Sequence, residues 1–492
     1  MTAVASASPP GVAQPVPLIG RHAELAWLEQ AMATVRDGSP ATALIGGDAG
    51  VGKTRLVREF AATAGATARV LTGRCPEFGP IGLPFAPFTD VLRDLATDPA
   101  APAFPPGGEL LRLLPELAPP VVTTDPKASR ARLFVQMLSL LERLARQRPL
   151  VLVIEDVHWA DESSRDLISF LVDNQGAMDG VLIIATYRTD ELHRCHPLAT
   201  LLAGLGRFGW VLRTDMAGLS RDESYELIGH ILGGQPPTSL ADGVYRRAAG
   251  NPLLVGQLAC RARVPGATPR DVMLAAVGRL PEDTQDVLRA ASAGGQRTGR
   301  RLLAAVTGLS SATLTAVLRP AVAADVIETG PDWFAFRHSL TGEALHHDLL
   351  PGEHTRMHQG FATALQADPT LTRPGRAAFE QAHHWHHAHD PAQSLSSAWQ
   401  AAAEACRLLA CAEQLAMLTR VLELWSSVPG AERLTGTDQA HVLRQTAATA
   451  RAAGHLHLST ALAGGRCQDG NGKSAARGPS LRHLLPETRP SA

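Results

Sequence analysis

From residue 18 to 217, short apolar runs alternate with longer stretches whose apolar residues recur at helical spacing. TALIG (42–46), RVLTG (69–73), LVLVIE (150–155), VLIIAT (181–186) and WVLRT (210–214) have the length of strands. Several are apolar without interruption, as strands covered on both faces must be. HAELAWLEQAMATVR, TRLVREFAATAG, RARLFVQMLSLLERLARQ and SSRDLISFLVD fill the gaps as amphipathic helices. This alternation predicts an α/β domain with a doubly wound parallel sheet.

Beyond residue 218 the strand signal almost vanishes. Short helical patterns run to residue 365, interrupted by the hairpin-like DVIETGPDWFAFRHS (325–339). Helices followed by a small β-ribbon predict a winged-helix module. From 376 to 465 Ala/Leu-rich helices come in pairs, which predicts tetratricopeptide-like helical repeats of irregular period. Residues 1–17 and 466–492 lack periodicity and read as a disordered lead-in and tail.

The 492 residues are enough for two to four domains. Balanced charge, 46 Lys+Arg against 47 Asp+Glu, argues against non-specific nucleic-acid binding by the whole chain. Cys75, Cys195, Cys260, Cys406, Cys411 and Cys467 form no C-x-x-C pair, so neither a disulfide framework nor a zinc knuckle is expected. The simplest compartment is the cytoplasm. The N-terminus has no signal-peptide pattern, and no apolar run approaches the ~18 residues of a membrane span.

Lysine is rare: only Lys53, Lys127 and Lys473 occur. Lys53 closes G-x-x-x-x-G-K-T, formed by Gly47, Asp48, Ala49, Gly50, Val51, Gly52, Lys53 and Thr54. The motif follows the strand TALIG and opens the helix TRLVREF, with Arg55 next in line. Glycines let successive amides turn toward phosphate oxygens, and the helix N-terminus favours the same anion. Lys53 is expected on the β- and γ-phosphates of ATP or ADP, and Thr54 on Mg²⁺. The domain over 18–217 is therefore expected to be a P-loop NTPase.

VLVIEDVHWAD (151–161) puts Glu155 and Asp156 at the end of a buried strand, where one carboxylate can hold the Mg²⁺ shell and the other orient water. Which does which stays open, with Asp156 expected to be the indispensable one. The spacing from Lys53 allows the two strands to be neighbours. Thr186 and Arg188 leave the next buried strand on the same edge of a parallel sheet, where Arg188 can sense the γ-phosphate.

PLIGRHAELAWLEQAM, GGDAGVGKTRLVREF, VLVIEDVHWADESS, IATYR, AAGNPLLVGQL and RHSLTGEALHHDLL together resemble the ATPase region of large ATP-binding regulators of the LuxR type. These are signal-transduction ATPases with numerous domains, a branch of the AAA+-like P-loop NTPases. The resemblance covers about residues 18–465. It implies a helical lid over 218–268 and a winged-helix domain over 269–365. It implies that Gly20 and Arg21 lie near the adenine, that Pro252 packs on the base, and that His338 reaches the β-phosphate of ADP in a closed state. It also implies an inducer or protein partner on the repeats and nucleotide-dependent self-association. Members usually end in a helix-turn-helix DNA reader; the aperiodic residues 466–492 leave no room for one, so no direct DNA binding is expected and a truncated chain is the favoured reading. The alternative is a non-catalytic interaction protein in which nucleotide is a structural ligand.

HHWHHAHD (383–390) contains His383 and His387 at a helical spacing that can bind metal. With no third ligand evident nearby, it is expected to be a repeat helix.

Overall fold

The five apolar runs become β1 (Ala41–Gly47), β2 (Arg69–Arg74), β3 (Leu150–Glu155), β4 (Val181–Thr186) and β5 (Val211–Met216). They form one sheet in the order β2-β3-β4-β1-β5, every pair parallel. This computed structural model describes residues 17–464 except 80, 103, 105, 106, 118–124, 194 and 261–268. Of the expected lead-in over 1–17 all but residue 17, and the whole expected tail over 466–492, lie outside the described residues.

The unbroken apolar runs are the interior strands: β1, β3 and β4 are buried along their whole length. Successive side chains point to opposite faces. Ala43, Ile45, Val151, Val153, Leu182 and Ile184 pack under α1 (His22–Arg36) and α2 (Lys53–Ala64). Leu44, Leu152, Ile154, Val181, Ile183 and Ala185 face the other side, against α3 (Ala86–Thr97), α4 (Pro126–Gln147), α5 (Glu162–Asp173) and α6 (Pro197–Leu205). The start of α4 is set locally: Asp125 accepts from Ala128 N at 3.1 Å, and Pro126 stands where a helix needs no amide donor.

One expectation is corrected. β1 and β3 are not neighbours, because β4 lies between them. The most evenly apolar strand takes the central place, and its terminal Thr186 bridges the gap: Asp156 N donates to Thr186 Oγ1 at 3.0 Å.

After β5 the chain is nearly all helix. α7 (Arg221–Leu232), α8 (Thr238–Ala248) and α9 (Pro252–Cys260) close a small core that includes Ile19. α7 begins on a capping box in which Ser220 and Glu223 satisfy each other's amides. α10 (Pro269–Val277), α11 (Glu282–Ala293), β6 (Arg297–Gly299), α12 (Arg300–Thr307), α13 (Ser311–Ala323), β7 (Ile327–Thr329) and β8 (Trp333–Phe336) follow. The antiparallel order β6-β8-β7 beside these helices is a winged-helix arrangement.

α14 (Ser339–Asp348) and α15 (Pro351–Ala367) lead into α16 (Ala377–His387), α17 (Pro391–Arg407), α18 (Cys411–Trp425), α19 (Ala431–Thr435), α20 (Gln439–Ala452) and α21 (Leu456–Gly464). From α15 to α18 each helix packs on the next, α18 packs on α20, and α20 on α21. The repeat helices do not stand apart from the sheet. Phe379, Leu395, Ala398, Met417, Leu418 and Val421 belong to the same buried cluster as α3–α6. Among the described residues no single helix is long and apolar enough to cross a membrane.

Candidate nucleotide site

The site is built where β1 hands over to α2. Gly50 (φ +79°) and Gly52 (φ +104°) take left-handed backbone that side chains rarely adopt. Their reasons differ. A Cβ at Gly50 would stand 3.0 Å from Asn251 and Leu253 of the α9 turn, whereas one at Gly52 would meet nothing within 4 Å. The loop is thus clasped on one side and open at the N-terminus of α2. That open, amide-rich concavity fits a phosphate chain.

Lys53 is buried, and its Nζ donates to Gly47 O at 2.5 Å and Asp48 O at 2.9 Å. Burial draws its pKa down to about 8, against the opposing pull of Asp156. Thr54 is half-buried in the first turn of α2, and Arg55 lies on the exposed side of that turn. Val51 is buried, and its carbonyl accepts from Arg21 Nη2 at 3.2 Å. The same Arg21 nitrogen donates to Ala217 O at 2.7 Å, so Arg21 fastens the loop to the exit of β5. Gly20 (φ +68°) lies tight under the α7 cap, where a Cβ would fall 2.4 Å from Glu223 Cδ.

The two strand-end acids occupy different settings. Glu155 is buried and held by Arg74, whose Nε and Nη2 reach Oε2 at 3.0 and 2.5 Å. Arg74 ends β2 in register with Glu155. Asp156 adopts φ +61° and enters no ion pair among the described residues. Burial pushes its carboxyl up to about 6, against the pull of Arg74; Glu155 adds to the rise, while Arg188 and Lys53 oppose it. The parallel sheet therefore brings Lys53, Asp156 and Thr186 to one edge.

Arg188 is buried at that edge but turned toward α14. It donates to Glu343 Oε1 and Ser339 Oγ, both at 2.7 Å, and also pairs with Glu191. Burial alone would lower its pKa, but Glu343 and Glu191 outweigh it and raise it. Its guanidinium also lies over the Trp159 ring, 4.7 Å from the centroid. His338 caps α14, one residue from Ser339, and burial lowers it to about 4. So His338 adjoins the Arg188 contact, and the next residue on that edge, Thr189, donates to the loop from N to Gly47 O at 3.3 Å and from Oγ1 to Asp48 Oδ1 at 2.8 Å. At the start of α9, Asn251 Nδ2 donates to Ala49 O at 2.8 Å and Leu253 N to Gly50 O at 3.4 Å, which sets Pro252 beside the loop.

Sequence reasoning passed over Arg74, His158, Trp159 and Glu343. His158 is buried and lowered to about 2 by burial, then by Arg188 and Lys53; its Nδ1 accepts from Arg188 N at 3.4 Å. The HW pair in VHWAD was the available signal: its two rings flank Arg188. Arg74 and Glu343 carried no local pattern.

A sheet of this order with a glycine loop, a buried lysine and strand-end acids defines a P-loop NTPase fold. Residues 17–184 match the family model described as AAA ATPase domain. An uncharacterized protein of Rhizobium meliloti (strain 1021) is 31% identical over 172 residues, which cover 31% of this chain but 17% of that protein. Among solved structures, a signal-transduction ATPase with numerous domains and a tetratricopeptide repeat sensor from Pyrococcus horikoshii is 14% identical, with a TM-score of 0.50 over 93% of this chain and 65% of the other. The Walker-type ATPase of Pyrococcus abyssi is 16% identical, with a TM-score of 0.34 over 67% of this chain and 96% of that one. The chain thus spans under two thirds of the length of the first of these structures and about a sixth of the curated relative. What the likeness to the Pyrococcus horikoshii protein supports is the shared fold, an α/β nucleotide domain followed by helical repeats.

Proposed function

We propose that this chain is an ATP-binding signalling switch of the kind found in LuxR-type regulators, in which ATP or ADP with Mg²⁺ sets how the domains close and associate. One observation carries the reading: the phosphate loop is gripped at once from the start of α9, through Asn251 and Leu253, and from the sheet edge, through Thr189, whose neighbour Arg188 pairs with α14. A cleft walled by three regions lets a ligand bias two domain arrangements by its differential affinity for them.

The loop amides and Lys53 bind the phosphate chain, and Thr54 with Asp156 holds the metal. Bound Mg²⁺–ATP supplies the transferable phosphoryl group and the divalent charge that offsets it. Asp156 takes the metal role because Glu155 is committed to Arg74. Glu155 and its arginine hold the strand end in place, and Thr186 fixes the Asp156 backbone. Pro252 packs at the base, with Gly20 and Arg21 behind it. Arg188 and His338 report the occupant to α14. Hydrolysis is slow and resets the switch. An inducer or protein partner acts through the repeats, and self-association follows the open form. The proposed setting of the switch is the cytoplasm.

Calorimetry tests it. Lys53→Ala should weaken ATP binding by about tenfold or more, since a charge-assisted contact to phosphate is worth roughly 1.5–3 kcal/mol. Unchanged affinity would remove the loop from the mechanism. If phosphate release over hours and oligomer size both ignore ATP, the nucleotide is a structural ligand instead.

A further inference from the structure

The histidine-rich segment does more than form a repeat helix. It folds against two other helices that carry histidines of their own. His346 sits near the end of α14, His354 and His358 one turn apart on α15, and His383, His384 and His387 on α16. The rings crowd together: His346 to His354 is 4.9 Å between centroids, His354 to His358 4.4 Å, and His358 to His384 5.1 Å.

We propose that His346, His354 and His358 form a Zn²⁺ site at the junction between the winged-helix region and the repeats. One ring nitrogen from each residue lies within 4.8 Å of the other two. A tetrahedral Zn²⁺ with bonds of about 2.0–2.1 Å asks its nitrogens to stand about 3.4 Å apart, a closure within reach of side-chain rotation. Two histidines at i and i+4 on one helix, joined by a third from the preceding helix, leave a fourth position for water.

Two features of the rings support this. His346 Nδ1 and His358 Nε2 are buried with no hydrogen-bond partner, an unfavourable state for a polar nitrogen and one that a metal bond relieves. His358 Nδ1 meanwhile shares a 2.8 Å hydrogen bond with His384 Nδ1. That bond orients the ring and keeps Nε2 for the metal, so His384 is a positioning residue. Burial, reinforced by repulsion from neighbouring imidazoles, keeps the three rings neutral, as metal ligation requires. Donors that are all imidazole suit Zn²⁺ and not the oxygen-seeking Mg²⁺ of the nucleotide site.

The test uses the untagged full chain, stripped with a chelator and kept free of nucleotide, with Co²⁺ as optical probe and Zn²⁺ as competitor. Wild type should bind about one Co²⁺ per chain with the intense visible bands of a tetrahedral site, and Zn²⁺ should abolish them. His354→Ala and His346→Ala should each weaken Zn²⁺ binding by about tenfold or more, while His386→Ala, outside the trio, leaves it unchanged. His354 is only half-buried, so circular dichroism can certify that variant as folded even if a His358 variant is not. Absence of tetrahedral bands in wild type, or equal Zn²⁺ affinity in folded His354→Ala, overturns the site.

Discussion

Asp156 and Gly52 show how much a single backbone or carboxylate decides. Asp156→Asn keeps the shape and removes the charge. In the proposed mechanism nucleotide affinity should change little while phosphate release falls steeply; single-turnover assays check this, and wild-type turnover would mean that the wrong acid was chosen. Gly52→Ala places a side chain at φ +104°. The strain should cost about 1–3 kcal/mol and be visible in thermal unfolding, with a loss of nucleotide affinity as the loop shifts. Both positions stood out in the sequence because motif chemistry is local: a glycine loop between strand and helix can be read without knowing the rest of the fold. Arg74 could not be found that way. Its partner Glu155 lies 81 positions along the chain, and only strand pairing joins them.

Among elements, the five strands were legible because a short uninterrupted apolar run, flanked by turn residues, is too brief for a buried helix and suits a strand covered on both faces. Their order was not. Nothing in VLIIAT says that it inserts between the phosphate-loop strand and the acid-bearing strand. Contacts between elements were hidden for the same reason, and the link from β4 to α14 is the main example. Arg188 was expected to face nucleotide; the structure shows its guanidinium engaged by Glu343 and Ser339. Glu343→Ala should leave that buried cation short of a partner, destabilising by about 1–3 kcal/mol, because an unmet buried charge costs more than the pair contributes. It should also speed the exchange of bound nucleotide, read with a fluorescent ADP analogue. A variant as stable as wild type, with unchanged exchange, would show that Arg188 does not hold α14.

For the whole molecule, the repeats lie against the sheet domain through a shared apolar core and several polar contacts, among them Arg373 and Arg376 on Asp90 and a buried pair at Ser163. Ser163 N and Oγ, at the start of α5, donate to Glu413 Oε1 and Oε2 of α18 at 3.0 and 2.6 Å. Burial, with the nearby Asp161 carboxylate, pushes Glu413 up to about 7. A carboxyl whose folded pKa exceeds its unfolded value of about 4.3 favours folding most when protonated. Its contribution is full below about 4.3 and is lost as pH rises through neutrality. Glu413→Gln mimics the protonated form, so its stability relative to wild type should increase from pH 5.5 to pH 8. Parallel melting scans at the two values check this, and a constant difference would reject the assignment. The paired Ala/Leu helices were readable as repeats, but their docking was not, since surface complementarity leaves no period in a sequence.

That docking has a mechanical corollary. Only Val157–Glu162 separate Asp156 from the serine that Glu413 grips. A load placed on α18 is therefore delivered, through a tether of barely two turns, to the carboxylate beside Lys53. The repeat helices and the chemical edge share a short lever.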